Sequence, residues 1–225
     1  MNFMKLNKII LFDLDGVILN TEAIYLKLML EYNKKINIPI TKKYYIKNLL
    51  GKTKKEISYC LSQKFKEKFN YNNYWRDLEE IRNNYLLNNK IEIKSGFLCL
   101  KKFLEQSDCK FAIVTSNSKK LTKQLLLNAG LNPNDFSTII SRDNVIKTKP
   151  SPDLYFKAIS FFGSETDKII AIEDSKVGIR AALNARIQVI NVKDIDIIDP
   201  KIKLKCLAHV KSLEKVIDIL KEMKN

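Results

Sequence analysis

The sequence has 225 residues, 45% of them hydrophobic, and a formal charge of +15 from 40 basic and 25 acidic residues. This length and hydrophobic content predict a globular chain with a sizeable core and exclude an intrinsically disordered one. The positive charge favours anionic partners, such as phosphorylated metabolites, nucleic acid or an anionic membrane surface. Because lysines are spread over the whole chain and no compact basic block is interleaved with aromatics, we expect compositional bias, with no nucleic-acid or membrane partner.

Cysteine usage and the N-terminal segment both bear on the compartment. The four cysteines are far apart without a CxxC pair, and the sequence has one histidine, His209. This pattern predicts neither a zinc cluster nor a disulfide framework, and we expect buried thiols in a reducing compartment. The apolar run at residues 9–12 is too short for a signal sequence or a membrane span and ends at the acidic Asp13. We therefore expect a cytoplasmic protein.

Short apolar runs along the chain predict buried strands. They lie at residues 9–12, 111–114, 138–140, 169–172 and 187–192. A segment with helical spacing and length precedes each of the later runs. This alternation predicts an α/β fold with a doubly wound parallel sheet.

The segment after the first strand, residues 21–91, breaks this alternation. Its apolar and aromatic positions, among them Ile24, Leu28, Trp75 and Leu78, fit consecutive amphipathic helices. We therefore expect a helical domain at 21–91, inserted into a core made of residues 1–20 and 92–225.

A pair of carboxylates follows the first predicted strand, in Asp13-Leu14-Asp15-Gly16-Val17. In open parallel sheets the ligand site lies beyond the carboxyl ends of the strands. Alternate side chains of extended backbone share a face, so Asp13 and Asp15 would lie on one side. Because two adjacent anions repel, a hard cation such as Mg²⁺, which prefers oxygen ligands, would hold them together. The alternative is ordinary turn chemistry after a strand.

Thr115-Ser116-Asn117 ends the second strand, directly before a predicted helix at 119–129. Hydroxyls and free amides at a helix N-terminus can bind an anion, although an ordinary N-cap has the same pattern.

Two further charged segments come after later strands. Prolines on both sides of Ser151 fix the backbone after Lys149, whose point charge could neutralise a carboxylate and a phosphoryl oxygen. A solvated surface lysine is the alternative. Glu173 and Asp174 emerge from a buried strand, which is costly unless they are paired or bind a metal. All these segments stand in order at predicted strand ends, where one cleft would collect them.

Together, the segments at Asp13, Thr115, Lys149 and Ile172-Glu173-Asp174-Ser175-Lys176-Val177-Gly178 resemble the four motifs of the haloacid dehalogenase superfamily. The match is to the subfamily with a helical cap inserted after the first strand, and it covers the whole core. The resemblance implies a Mg²⁺-dependent phosphatase in which Asp13 attacks phosphorus and Asp15 is the general acid and base.

The resemblance also implies the ligand set. Mg²⁺ would be held by Asp13, the backbone carbonyl of Asp15 and Asp174, with Glu173 as a direct or water-mediated ligand. The phosphoryl group would be bound by Thr115, Ser116, Asn117 and Lys149. Within the cap, the loop at Gly51, Lys52 and Lys54 would face the site, and the hinges would lie near residues 17–21 and 91–96.

Several positions depart from the family pattern, and one of them bears on the reaction. Phosphoglucomutase relatives have a histidine where this chain has Tyr25, which argues for hydrolysis of a small phosphorylated metabolite, such as phosphoglycolate or a sugar phosphate. Arg186 stands where a glycine commonly ends a helix. A phosphosugar mutase and a non-catalytic anion-binding protein on the same fold remain alternatives. The sequence predicts no oligomeric state.

Overall fold

A computed structural model describes residues 6–50, 52–66, 69–195 and 198–223. These residues contain one parallel sheet with the strand order β3-β2-β1-β4-β5-β6. The strands are β1 (Ile9–Phe12), β2 (Lys110–Val114), β3 (Ile139–Ile140), β4 (Ile169–Glu173), β5 (Gln188–Val192) and β6 (Ala208–Val210). The predicted doubly wound α/β fold is confirmed.

Strand β6 is an addition to the predicted set. Among the residues that the structure describes, β5 is its one partner strand, and Val210 is the one buried residue of β6. A three-residue edge strand of this kind carries too little apolar pattern to be recognised in the sequence.

Helices cover both faces of the sheet. They are α5 (Phe97–Gln106), α6 (Lys119–Asn128), α7 (Asp153–Phe162), α8 (Lys176–Asn184), α9 (Pro200–Lys203) and α10 (Glu214–Glu222). Because strand side chains alternate, Ile10 and Phe12 pack with Phe97 on one face. Leu11 packs with Tyr155 on the other face. Every residue of β4 is buried, as expected for a central parallel strand.

The insertion between β1 and α5 is helical, as predicted. It contains α1 (Glu22–Lys35), α2 (Lys42–Asn48), α3 (Lys54–Phe65) and α4 (Tyr71–Asn88). A capping box of Thr53 and Glu56 begins α3. The helices share a separate buried cluster that includes Leu61 and Tyr74. We call these four helices the cap.

The two connections between the cap and the sheet run side by side. The Asn20 amide donates to the Glu92 carbonyl at 2.9 Å, and the Lys94 amide donates to the Ile18 carbonyl at 2.8 Å. The exact domain limits at residues 20–21 and 91–92 stay a prediction.

The four cysteines are free, but the expectation that all are buried is wrong. Cys109 is buried, whereas Cys99 is exposed because it lies on the outer face of α5. Among the described residues, no helix has the length and apolar character needed to span a bilayer.

Candidate active site

The site lies at the position in the sheet where the strand order reverses. Strand β1 has β2 on one side and β4 on the other, so the strand order reverses around it. Asp13 directly follows β1, and its amide donates to the Ile172 carbonyl of β4 at 3.0 Å. Glu173 ends β4 and Asp174 comes next. The topology therefore brings these three carboxylates to one edge of the sheet.

Several of the predicted site residues line one cavity of about 240 Å³. Asp13, Asp15, Ser116, Lys149 and Asp174 line it, together with Lys52 and other cap residues. We call it the strand-end cavity.

Lys149 connects two of the carboxylates in a buried position. Its Nζ lies 2.6 Å from Asp13 Oδ1 and 2.7 Å from Glu173 Oε1, and donates to the Val114 carbonyl at 2.8 Å. Burial alone would lower the pKa of Lys149, but the charges of Asp13 and Glu173 outweigh it and raise that pKa above its ordinary value. Lys149 is therefore a fixed positive charge beside Asp13.

The carboxylates of Asp13, Glu173 and Asp174 form a compact cluster, in which one oxygen of each lies within 4.8 Å of the others. Burial raises the pKa of Asp13 from 3.8 to about 7, with Lys149 opposing the shift and Glu173 adding to it. Burial, then the charges of Glu22 and Asp13, raise the pKa of Asp174 well above its ordinary value. The charges of these groups are thus incompletely compensated by the protein.

The cluster fits a hard divalent cation. Its donors are oxygens, which Mg²⁺ prefers, and Glu173 Oε2 is buried without a hydrogen-bond partner in the described structure. Two glycines make room for the carboxylates. A Cβ at Gly16 would lie 2.0 Å from Asp174 Oδ2, and one at Gly178 would lie 2.0 Å from Glu173 Oε2.

Asp15 is held by three hydrogen-bond donors. Its Oδ1 accepts from Thr21 Oγ1 at 2.7 Å and from Tyr25 Oη at 2.6 Å. Its Oδ2 accepts from Asn117 Nδ2 at 2.7 Å. The carboxylate is therefore fixed between the start of the cap and the loop after β2.

The three residues after β2 have different environments. Ser116 is exposed and lines the strand-end cavity. Thr115 is buried, and its Oγ1 accepts from the Asn117 amide at 3.1 Å. The side-chain amide of Asn117 donates to Asp15. Ser118 caps α6 by accepting a hydrogen bond from the Leu121 amide. Phosphate binding by these residues stays a prediction.

The predicted cap contacts divide between two cavities. Gly51 lies outside the described residues. Lys52 lines the strand-end cavity, whereas Lys54 lines an adjoining cavity within the cap, where its Nζ is 3.7 Å from Glu79 Oε2. A substrate contact by Lys54 stays a prediction.

Sequence reasoning did not identify Tyr155. Its hydroxyl donates to Glu173 Oε1 at 2.6 Å, and Lys149 Nζ lies 5.4 Å from the centre of its ring. Burial, then the charge of Glu173, raises the pKa of Tyr155 well above its ordinary value, so it remains a donor. The only signal in the sequence is a hydroxyl on the apolar face of α7, which is also typical of core packing.

Known proteins resemble this chain in sequence. The sequence model of the haloacid dehalogenase-like hydrolases matches residues 10–192. A phosphorylated carbohydrates phosphatase of Thermotoga maritima is 24% identical over 216 residues, which cover 95% of this chain and 98% of that protein. A phosphoglycolate phosphatase of Aquifex aeolicus is 26% identical over 184 residues, which cover 79% of this chain and 81% of that protein.

The fold is also similar to solved structures. A conserved haloacid dehalogenase-like protein of unknown function from Agrobacterium tumefaciens superimposes with a TM-score of 0.83 at 20% identity, covering 97% of this chain and 99% of that one. The chain belongs to the haloacid dehalogenase-like hydrolases, as the family match over most of its length shows. The predictions of this family and of a hydrolytic enzyme are confirmed.

Proposed function

We propose that this protein is a Mg²⁺-dependent phosphatase that hydrolyses a small phosphorylated metabolite through a phosphoryl group carried on Asp13. The observation that carries the proposal is the position of Lys149 Nζ, 2.6 Å from Asp13 Oδ1 in the cavity that Asp15 and Asp174 also line. A carboxylate, an acid and a fixed positive charge thereby face one space, as phosphoryl transfer requires.

In the first step, Asp13 forms a bond to phosphorus while the bond from phosphorus to the leaving oxygen breaks. Asp15 gives its proton to that oxygen. In the second step, Asp15 takes a proton from water as the water attacks phosphorus, which releases phosphate and restores Asp13. Lys149 and the segment Thr115 to Asn117 would bind the phosphoryl oxygens.

The residues that would hold Mg²⁺ are Asp13, Asp174 and the backbone carbonyl of Asp15, with Glu173 as a further ligand. The support is the oxygen cluster of Asp13, Glu173 and Asp174 and the unpartnered Glu173 Oε2. When bound, the cation offsets the repulsion between the attacking carboxylate and a phosphate dianion.

We propose a sugar phosphate or phosphoglycolate as the substrate class. The Thermotoga maritima relative is named for phosphorylated carbohydrates and the Aquifex aeolicus relative for phosphoglycolate. The cap, proposed to span 21–91 over a core of 1–20 and 92–225, would enclose the leaving group. A cytoplasmic location remains part of the proposal.

A screen of sugar phosphates and phosphoglycolate tests the function. We expect phosphate release that depends on Mg²⁺ and stops with a chelator. Asp13→Asn should lower kcat by at least about 10³-fold, because the nucleophile is lost. Asp218→Asn, which removes an acidic group from the exposed face of α10, is the matched control and should keep wild-type turnover.

The same assay separates the alternatives. A phosphosugar mutase would isomerise its substrate without net release of phosphate. A non-catalytic anion-binding protein would release none and would bind phosphate almost equally well after Asp13→Asn. Either result would contradict the proposed function.

A further inference from the structure

Tyr25, on the first turn of α1, lines one cavity and contacts a residue of another. The first is the cap cavity, a space of about 190 Å³ whose other walls include Leu28, Trp75 and Arg82. Its hydroxyl donates at 2.6 Å to Asp15 Oδ1, and Asp15 lines the strand-end cavity. One side chain therefore contacts both the space within the cap and the group proposed to move the proton.

The ring of Tyr25 is held in place from the cap side. The Arg82 guanidinium carbon lies 5.1 Å from the ring centre, a cation–π distance, and Arg82 Nε is buried without a hydrogen-bond partner in the described structure. The phenol is the donor in its 2.6 Å hydrogen bond to Asp15, because an ionised carboxylate oxygen only accepts.

The hydrogen bonds on Asp15 distinguish its two oxygens. A carboxylate oxygen has two lone pairs, and both lone pairs of Oδ1 are used, by Thr21 at 2.7 Å and Tyr25 at 2.6 Å. Within the described part of the chain, Oδ2 accepts one bond, from Asn117, which leaves one lone pair for a transferable proton. The donors on Oδ1 thus select the oxygen that can carry the proton.

We propose that Tyr25 is a positioning residue for the reaction: with Thr21 it occupies Asp15 Oδ1, confines the transferred proton to Oδ2, and fixes that oxygen beside the cavity the leaving group enters. This inference rests on the proposed function. The Oδ2 proton goes to the leaving oxygen as its bond to phosphorus breaks, and Oδ2 regains a proton from the attacking water. Tyr25 keeps its own proton throughout.

Tyr25→Phe tests this role, because it keeps the ring in the cap cavity and removes only the hydroxyl. Tyr32→Phe is the matched control. Tyr32 is also on α1 and also donates to a carboxylate, Asp77 Oδ2 at 2.8 Å, which is not in the strand-end cavity. Thermal melting of both variants would measure the structural cost of each lost hydrogen bond.

The informative readout is the dependence on the leaving group. With Mg²⁺ present, kcat/KM is measured for phenyl phosphate, whose leaving oxygen needs a proton, and for 4-nitrophenyl phosphate, whose leaving oxygen departs without one. For Tyr25→Phe we expect a loss of about 10- to 100-fold with phenyl phosphate and a much smaller loss with 4-nitrophenyl phosphate. The ratio of the two values is internal to each variant, so it does not depend on the fraction of folded protein.

Tyr32→Phe should keep the wild-type ratio. If Tyr25→Phe also keeps it, or changes KM equally for both esters, Tyr25 only shapes the cavity and the inference is wrong, while the proposed function stands. If the wild-type protein releases phosphate neither from these esters nor from any sugar phosphate or phosphoglycolate of the screen, the proposed function falls, and the role of Tyr25 falls with it.

Discussion

Asp13 and Asp174 place negative charge in a part of the molecule that water hardly reaches, with 9% and 3% of their surface exposed. Burial is the main cause of their raised pKa values, and Lys149 compensates only part of the charge at Asp13. Charged groups of this kind are retained at functional sites although they lower stability. At the residue scale, the site should therefore be a source of instability until a cation binds.

The raised pKa values determine the sign of the pH dependence. Asp13 has an ordinary pKa of 3.8 and a folded value of about 7, so between these values the folded state holds more protons than the unfolded state. The contribution of the cluster to the unfolding free energy therefore falls as pH rises through this range. Asp174 acts in the same direction.

Asp174→Asn should reduce this loss in the metal-free protein, because it removes one of the two carboxyl groups whose pKa is raised. We expect the variant to gain stability relative to wild type as pH rises from about 5 to about 8, measured by urea unfolding. At the upper pH, Mg²⁺ should raise the Tm of the wild type and leave the variant almost unchanged. Parallel stability curves for the two proteins, or equal Mg²⁺ effects, would contradict the proposed electrostatics.

Single residues differ in how well the sequence predicts them. Asp13, Glu173 and Asp174 come at the ends of predicted strands, whereas Lys149 lies in the loop between the predicted strand at 138–140 and the next helix. The structure brings all four together. The contact of Tyr155 with Glu173 was not predictable, because a tyrosine on a buried helix face has the pattern of any core residue. The packing of α7 on the sheet sets the direction of the Tyr155 hydroxyl, and the periodicity of the sequence gives no information on that packing.

At the scale of elements, strands β1, β2, β4 and β5 agree with the predicted apolar runs within one residue at each end, and the cap contains consecutive helices as expected from its apolar spacing. The end of α8 is less regular. Arg186 follows its last turn with φ of 60°, in the left-handed region that favours glycine. Helix α7 ends in the same conformation at Gly163, with φ of 56°.

This pair of helix ends gives a matched prediction. Arg186→Gly should stabilise the protein by about 0.5–1 kcal/mol, because it relieves the left-handed strain of a residue with a Cβ. Gly163→Ala should destabilise it by about 1 kcal/mol, because alanine disfavours the left-handed backbone. A Cβ there would have no atom within 4 Å, so this backbone cost is the only one expected. Urea unfolding at one pH measures both. A neutral or destabilising Arg186→Gly would mean that the Arg186 side chain contributes more than its backbone strain costs.

At the scale of the whole molecule, the site depends on strand order. The sequence predicts parallel strands, but their spatial order β3-β2-β1-β4-β5-β6 is a matter of tertiary packing. That order sets β4 beside β1 and so brings Glu173 and Asp174 to Asp13. Lys149, which follows β3, reaches the same point through the loop that precedes α7. Motif order along the chain predicted a common cleft, whereas the pairwise contacts needed the folded structure.

The most direct test of covalent catalysis uses Asp15→Asn with 4-nitrophenyl phosphate and Mg²⁺. The leaving group needs no proton, so Asp13 can still be phosphorylated, but no base remains to activate water. We expect a burst of about one nitrophenolate per protein molecule, then very slow turnover, with the phosphoryl group found by mass spectrometry on the peptide that contains Asp13. The double variant Asp13→Asn with Asp15→Asn should give no burst. Steady release without a burst and no phosphoryl group on Asp13, or a phosphoryl group on another residue, would contradict the mechanism.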